Sequence, residues 1–532
     1  MTVDSSVSST PGDRSGSDDQ AESGAQPGAD ARQGADAQQG ADSQRLVDPQ
    51  PTTQAIPIPF AKPPTSIFSP ALLWVTIGAC ALVFLSAFES LAVTTIMPVV
   101  SVELDGANLY ALAFAGPLAV GVIGMVTAGN WSDRSGPVKP LILSIALFIV
   151  GLLLAGLAES MWVLVAGRLV QGLDGGAMTV ALYVMVARLY PPDLHRKIFA
   201  GFAAAWVVPS LIGPFVAGVV AQVFSWHWVF LGVVGLVAIA TVMVFPALRL
   251  LSGSQDPDAV RPPWELSRLV WAVAVAVGVL VINVAADLEG PAFWILPIIG
   301  GVVALVTVRP LLPVGTFRAR RGLPTVVLAR GLASAAFFGT EVYLPYLLTR
   351  EHGLTPAFAG LALTGGAVAW AIGSWLQGRL GDRLTNATAL QIGTILVLMA
   401  VITSFTAALA DLPPAVLMIG WVVSGGGMGL MFPRMSVMTL AYSEPDTQGF
   451  NSSAMSIGDA VGGALALAAT GVVFAALDTA PDPLGIGGGL PFAGCFAVAA
   501  IAGIAAVIVA RRVTVRPEPV VRTVAESPSS RV

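Results

Sequence analysis

From Ala71 onward the chain is a series of apolar runs of roughly 20 residues, separated by short polar breaks. An α-helix rises 1.5 Å per residue, so a run of about 20 crosses a hydrocarbon core of roughly 30 Å. By that ruler, spans fall near 71–98, 109–130, 140–158, 161–187, 198–222, 227–246, 266–286, 291–308, 323–347, 356–378, 387–408, 414–437, 452–476 and 491–510. That makes fourteen; the seventh and eighth are divided by the short break at 287–291. Lipid offers the backbone no hydrogen bonds, so runs of this length have to be helical. The fold class is therefore an all-α polytopic membrane protein. Composition agrees: 55% of the 532 residues are hydrophobic and 11% charged, less than half the charge density of about 25% in soluble domains.

The formal charge of −5 is confined to the N-terminal segment. Residues 1–66 hold nine acids and four bases, and the remaining 466 residues hold 23 of each. That segment is rich in Ser, Gly, Ala, Asp, Gln and Pro and contains GADARQGADAQQGAD. It has too little apolar surface to offset its ordering entropy and is expected to be a disordered tail. Its polarity leaves no h-region for a signal peptide. The membrane-spanning part lacks the dense basic face that nucleic-acid binding needs. Cys80 and Cys495 lie in apolar runs as small hydrophobes, and His195, His227 and His352 stand singly. No spacing suggests a metal or haem site, and no cofactor is expected.

Arginine and lysine placement sets an orientation. With the N-terminus in the cytoplasm, inner loops collect Arg134, Lys139, Arg188, Arg196, Lys197, Arg249, Arg261, Arg309, Arg318, Arg320, Arg321, Arg379, Arg383, Arg511 and Arg512. Outer loops hold Arg350 alone among bases, with Glu103, Asp105, Glu159, Asp287, Glu289, Glu351, Asp411, Asp478 and Asp482. An odd miscount of spans would invert this pattern downstream, and it does not invert. Both termini are thus expected in the cytoplasm.

The chain also repeats itself. Gly129-Asn130-Trp131-Ser132-Asp133-Arg134-Ser135-Gly136 follows the second span, and Gly378-Arg379-Leu380-Gly381-Asp382-Arg383-Leu384 follows the tenth. One offset of 249 residues carries Gly129 to Gly378, Asp133 to Asp382, Gly176 to Gly425 and Gly213 to Gly462. Two homologous six-span halves with a two-span insertion result: 67–250 and 323–512, with 251–322 between them and a tail over 513–532. Parallel repeats of this kind place a substrate site near the midplane between the halves.

GNWSDRSGPVK resembles the loop signature of the major facilitator superfamily through Gly129, Asp133, Arg134 and Gly136, while Trp131 and Pro137 depart from it. Arg168-Leu169-Val170-Gln171-Gly172 is similar to the family's fourth-span motif. The run from Pro209 to Gly218, with Gly213 and Pro214, is similar to its fifth-span antiporter motif, Ala217 replacing a glycine. Glu89 to Pro98 resembles the first-span signature of the fourteen-span drug:proton antiporters, with Glu89 where aspartate is usual. The resemblance covers 71–510 and implies the major-facilitator fold, proton coupling and export.

A charge at the bilayer centre costs from about 2.5 to more than 10 kcal/mol, so such residues face a cavity or a partner. Glu89, Arg168, Asp174, Glu341 and Asp459 are the candidates for proton coupling or cavity lining. Glu89 lies about 13 Å below the outer end of its span and Arg168 about 10 Å below that of the fourth, so the two can pair. Glu89 is the chosen coupling carboxylate, against a static pair that holds helices together; the resemblance implicates Arg168 in proton transfer. Asp174 lines the cavity or bonds a neighbouring helix. Glu341 lines the cavity or makes an outer-leaflet polar contact. Asp459, which the offset maps onto Ser210, contacts proton or substrate, or hydrogen-bonds within a Gly-rich interface. Pro209, Gly213, Pro214 and Gly218 make a bent, tightly packed fifth helix that seals against leak or simply packs. Gly129, Asp133, Arg134, Gly136, Asp382 and Arg383 form the gating loops, with Asp133 a latch onto a helix N-terminus across the halves, or a solvated turn.

The expected function is a monomeric plasma-membrane antiporter that exports hydrophobic or cationic small molecules on the proton gradient. Its partners are substrate, protons and the bilayer. Export of a lipid or cell-envelope precursor is the alternative. A polytopic enzyme would need a nucleophile cluster, metal ligands or a phosphate loop, and none is present; a non-transporting receptor remains compatible.

Overall fold

The computed structural model describes residues 64, 66–70, 72–253, 263–285, 288, 290–443, 448–478 and 488–513, all within one unit, Ala55–Val532. The tails read at 1–66 and 513–532 lie almost wholly outside the described residues, as do Arg261, Asp287, Glu289 and Asp482. Among the described residues, fourteen helical segments are long and apolar enough to cross a membrane, matching the number counted above. The first half comprises α1 (Leu73–Glu103), α2 (Leu112–Ser135), α3 (Val138–Gly156), α4 (Met161–Leu189), α5 (Pro192–Val223) and α6 (His227–Gly253). The insertion is α7 (Leu266–Val284) and α8 (Pro291–Thr307). The second half comprises α9 (Leu323–Glu341), α10 (Tyr343–Arg350), α11 (Pro356–Leu380), α12 (Asn386–Leu409), α13 (Pro414–Ala441), α14 (Gln448–Asp478) and α15 (Gly489–Ala510). The ninth span is thus two pieces, α9 and α10, with Glu341 at the junction.

The helices alternate in direction, so one end of the bundle carries the basic loops and the other the acidic ones. Helix ends are capped where the loops allow: the Ser160 and Thr385 side chains accept from Val163 and Thr388 N–H at 3.5 and 3.2 Å. Interior prolines in α1, α5 and α13 persist because neighbouring helices surround the disturbed backbone.

The 249-residue repeat is visible as packing. Lipid is as apolar as leucine, so spans associate through close backbone approach at small residues. On α4, a Cβ at Gly176 would strike the Gly121 carbonyl of α2; on α13, a Cβ at Gly425 would strike the Gly366 carbonyl of α11. Gly124 of α2 and its counterpart Gly373 of α11 likewise abut the backbones of α4 and α13. Gly213 of α5 faces Phe88 of α1, and Gly462 of α14 faces the Gly331 backbone of α9, so the fifth span of each half leans on the first.

The halves meet at the acidic end. The Tyr110 hydroxyl donates to the Val342 carbonyl at 2.8 Å, and its ring stacks on Tyr346 with centroids 4.6 Å apart. Gly360 of α11 abuts Pro214 and Thr95; Gly218 of α5 abuts Ala357; Gly471 of α14 abuts Ala111. Toward the basic end, by contrast, Thr179, Tyr183 and Ala187 form an exposed stripe on α4, and Ser453 and Ser456 are exposed on α14. Polar side chains at these depths face a water-filled cleft rather than lipid. With the seam at the other end, this is the pattern that a cleft open at the basic end and closed at the acidic one would show. The insertion seats across one side of this seam: Ala272 and Val275 of α7 share a buried cluster with Val122 and Val126 of α2 and with Ala454 and Ile457 of α14.

Gly425→Val is expected to remove the folded population by forcing α13 off α11, a cost of at least about 1–3 kcal/mol for overpacking. Gly235→Ala, whose Cβ meets nothing within 4 Å, is expected to melt at or above the wild-type temperature. Size-exclusion profiles and melting curves in detergent check both.

Candidate functional site

Among the described residues, two ion pairs lie inside the bundle, one in each half. In the first half, α1 presents Glu89 and α4 presents Arg168, and Arg168 Nη1 contacts the Glu89 carboxylate directly. Their side chains are 6 and 7% exposed. Arg168 is fixed from two further directions: Nε donates to the Ala113 carbonyl at 3.3 Å, and Nη1 donates to Gln171 Oε1 at 2.8 Å. One turn further along α4, Asp174 is 1% exposed, and its Oδ1 and Gln171 Nε2 have no hydrogen-bond partner. The sequence reading put Glu89 and Arg168 at comparable depth; the structure pairs them and places Asp174 in the same cluster. It holds two carboxylates and one guanidinium in a buried environment, where an uncompensated charge is costly.

The second pair joins Arg330 of α9 to Asp459 of α14, with Arg330 Nε 3.3 Å from Oδ1. Nη2 donates to Oδ2 at 3.3 Å, Nη1 donates to the Phe432 carbonyl at 3.3 Å, and the Ser334 hydroxyl donates to the same carboxylate. The guanidinium lies over the Phe432 ring, 3.0 Å from its centroid. The side chains are 10 and 24% exposed, so this pair opens further into the cleft than the first. Glu341, at the α9–α10 junction near the acidic end, has no ion-pair partner among the described residues.

The gating loops are held by contacts with their own half and with the insertion. Gly136 turns at φ 73°, where a side chain would be strained, and its N–H donates to the Ser132 carbonyl at 2.9 Å. Arg188 of α4 donates to that same carbonyl at 3.1 Å. Asp133 is exposed beside Arg188 and Glu265, while Arg134 lies 5.2 Å from the Trp264 ring, so both are engaged with their own half and the insertion. Gly129 meets open space. In the second loop, Arg434 of α13 donates to the carbonyls of Leu384, Gln377 and Gly381 and to the Asn386 side chain, and Arg383 is exposed; the Asp382 side chain lies outside the described residues. The antiporter-motif residues Pro214 and Gly218 form the acidic-end seam with α11, and Pro209 is buried one turn earlier.

Arg330 and Arg434 were missed by the sequence reading although both stand inside apolar spans. Counting every ionisable residue at membrane depth, bases included, finds them. Among the described residues, no group of three or more His, Cys, Asp or Glu side chains is placed to hold a metal.

The model of the Major Facilitator Superfamily matches residues 79–339 and 326–531. The chain belongs to that superfamily. Curated relatives include multidrug resistance protein 3 of Bacillus subtilis, 23% identical over 396 residues, covering 71% of this chain and 75% of that one. A probable multidrug-efflux transporter of Mycobacterium tuberculosis is 25% identical over 408 residues, covering 74 and 85%. A solved POT family transporter, in complex with a thioalcohol-conjugated peptide, superposes with a TM-score of 0.63 at 15% identity over 86% of this chain and 98% of its own. A D-xylose–proton symporter superposes with a TM-score of 0.55 over 83 and 98%. At these identities the solved structures establish the major-facilitator fold. With fourteen spans and efflux relatives, the chain is a multi-pass membrane transporter that fits the fourteen-span drug:proton branch of the superfamily.

Arg168→Met is expected to destabilise the protein by about 3–5 kcal/mol, because Glu89 is left charged or desolvated without its partner. Adding Glu89→Gln is expected to recover most of that loss. Melting curves of the two single variants and the double variant measure the coupling.

Proposed function

We propose that this transporter is a proton-coupled antiporter that exports hydrophobic or cationic small molecules across the plasma membrane by alternating access. The observation that carries the reading is the buried Glu89–Arg168 pair, with a second acid, Asp174, in the same cluster. A carboxylate paired with a guanidinium is ionised; once protonated it no longer holds the guanidinium, and the pair separates. The bond between α1 and α4 therefore depends on the proton, and α1 is also the helix whose Thr95 abuts α11 at the acidic-end seam.

The excess of arginine and lysine supports a cytoplasmic basic end. In that orientation the conformation described above is open to the cytoplasm and closed outside. Substrate enters the cleft from the cytoplasm. The halves rock, the acidic-end seam opens, and substrate leaves outward while a proton reaches the Glu89 cluster. Closure of the seam against Gly360 and Ala357 by Pro214 and Gly218 prevents leak during the cycle. Asp133 and Arg134 then serve as the latch when the basic end closes. Glu341 and Asp459 supply acidic lining that favours cations.

Everted membrane vesicles test this. With an imposed inward-acid gradient, wild-type protein is expected to accumulate ethidium and to release protons when substrate is added. Glu89→Gln is expected to lower the gradient-driven rate by about tenfold or more and to abolish substrate-induced proton movement, while leaving downhill exchange. Substrate-induced proton movement that persists in Glu89→Gln would overturn the coupling assignment.

A further inference from the structure

We infer that Asp459, Ser334 and Phe432 form a cation subsite in the cleft, and that Arg330 is its resident occupant, displaced when a substrate cation binds. The inference rests on the export reading only for the class of ligand.

The subsite has the two features that recognise an organic cation: a carboxylate and an aromatic face. Asp459 supplies the charge, with Ser334 donating to one oxygen and fixing its direction. Phe432 supplies the face, and Trp370 packs against it edge-on at 5.1 Å, with Phe337 edge-on to Trp370 at 5.5 Å. Cations are attracted to such a ring face, more strongly as water is excluded. The Arg330 guanidinium occupies this place now, 3.0 Å from the Phe432 centroid and against both Asp459 oxygens.

Two contrasts with the Glu89–Arg168 pair mark Arg330 as displaceable. Its bonds to Asp459 Oδ2 and the Phe432 carbonyl are both 3.3 Å long, and its Nε, though 3.3 Å from Oδ1, has no aligned hydrogen bond. The Asp459 side chain is also 24% exposed, against 6% for Glu89. Asp459 lies about 16 Å along α14 from its basic end, and the exposed Ser456 stands about one turn nearer that end. A monovalent cation that replaces Arg330 leaves the charge of the site unchanged, and the freed guanidinium can extend toward water in the open cleft. The ligand class is therefore a flat or delocalised lipophilic monocation, and the helices α9, α13 and α14 report its arrival through the loss of the Arg330 cross-link.

Equilibrium binding of ethidium to purified transporter in lipid nanodiscs tests this without any gradient, so its outcome is independent of whether protons drive transport. Arg330→Ala is expected to tighten ethidium binding by about tenfold, and Asp459→Asn to weaken it by about tenfold. In Arg330→Ala, millimolar methylguanidinium is expected to compete with ethidium by refilling the vacated position; in wild type it is expected to have no effect. Phe432→Leu, which keeps the charge pair, is expected to weaken binding several-fold. Unchanged binding in Asp459→Asn would make the pair a static helix link and overturn the proposal. Weaker ethidium binding in Arg330→Ala with no methylguanidinium competition would overturn it too. So would loss of binding of the anionic probe anilinonaphthalene sulfonate in Arg330→Ala with ethidium unaffected, since Arg330 would then be an anion receptor.

Discussion

The cost of placing a charge in hydrocarbon governs this molecule. Each ionisable group at membrane depth costs from about 2.5 to more than 10 kcal/mol unless it finds a partner or water. Among the described residues, two ion pairs inside the bundle meet that cost. Glu89 and Arg168 are sealed and compensated between α1 and α4, and Arg330 and Asp459 are compensated between α9 and α14 but partly wetted. The charge order is reversed: the first helix of the first half carries the acid, and the first helix of the second half carries the base. The partner differs as well: the fourth span of the first half and the fifth span of the second.

Everything around those pairs is apolar and must pack without help from the hydrophobic effect between spans. Glycine does this work. Pairs such as Gly176 with Gly121 and Gly425 with Gly366 bring backbones into direct contact, with Gly176 and Gly425 at the repeat offset, so each half forms a rigid unit. Between the halves, the described contacts at the acidic end are aromatic stacking, one hydrogen bond from Tyr110, and small-residue approach. Rigid halves joined by a limited seam are what a rocking motion requires.

Much of this was legible in the sequence, because the governing physics is one-dimensional. Span length, span number and the repeat follow from hydropathy and spacing, and all fourteen spans reappear as helices. Depth made a Glu89–Arg168 pair possible without deciding whether their spans face each other. What was not legible is lateral. Depth does not say which face of α4 carries Asp174, nor that Asp459 meets Arg330 rather than its own helix interface. Nor does depth say that Asp133 lies beside Arg188 and Glu265, where the insertion's start at Trp264 and Glu265 packs over that loop. An insertion's docking surface is set by small residues on three helices at once, and no linear pattern encodes it. Arg330 and Arg434 were visible as letters, but attention to acids passed them over.

In the proposed mechanism, protonation of the Glu89 cluster governs which end of the cleft is open. Distances between spin labels test it directly. In a background with Cys80 and Cys495 replaced, labels at Leu157 and Asp411 report the acidic end, and labels at Lys139 and Thr385 report the basic end. Acidification is expected to lengthen the first distance and shorten the second in wild type, and Glu89→Gln is expected to hold the acidified distribution at every pH. Distances in Glu89→Gln that follow pH as the wild type does would contradict the account.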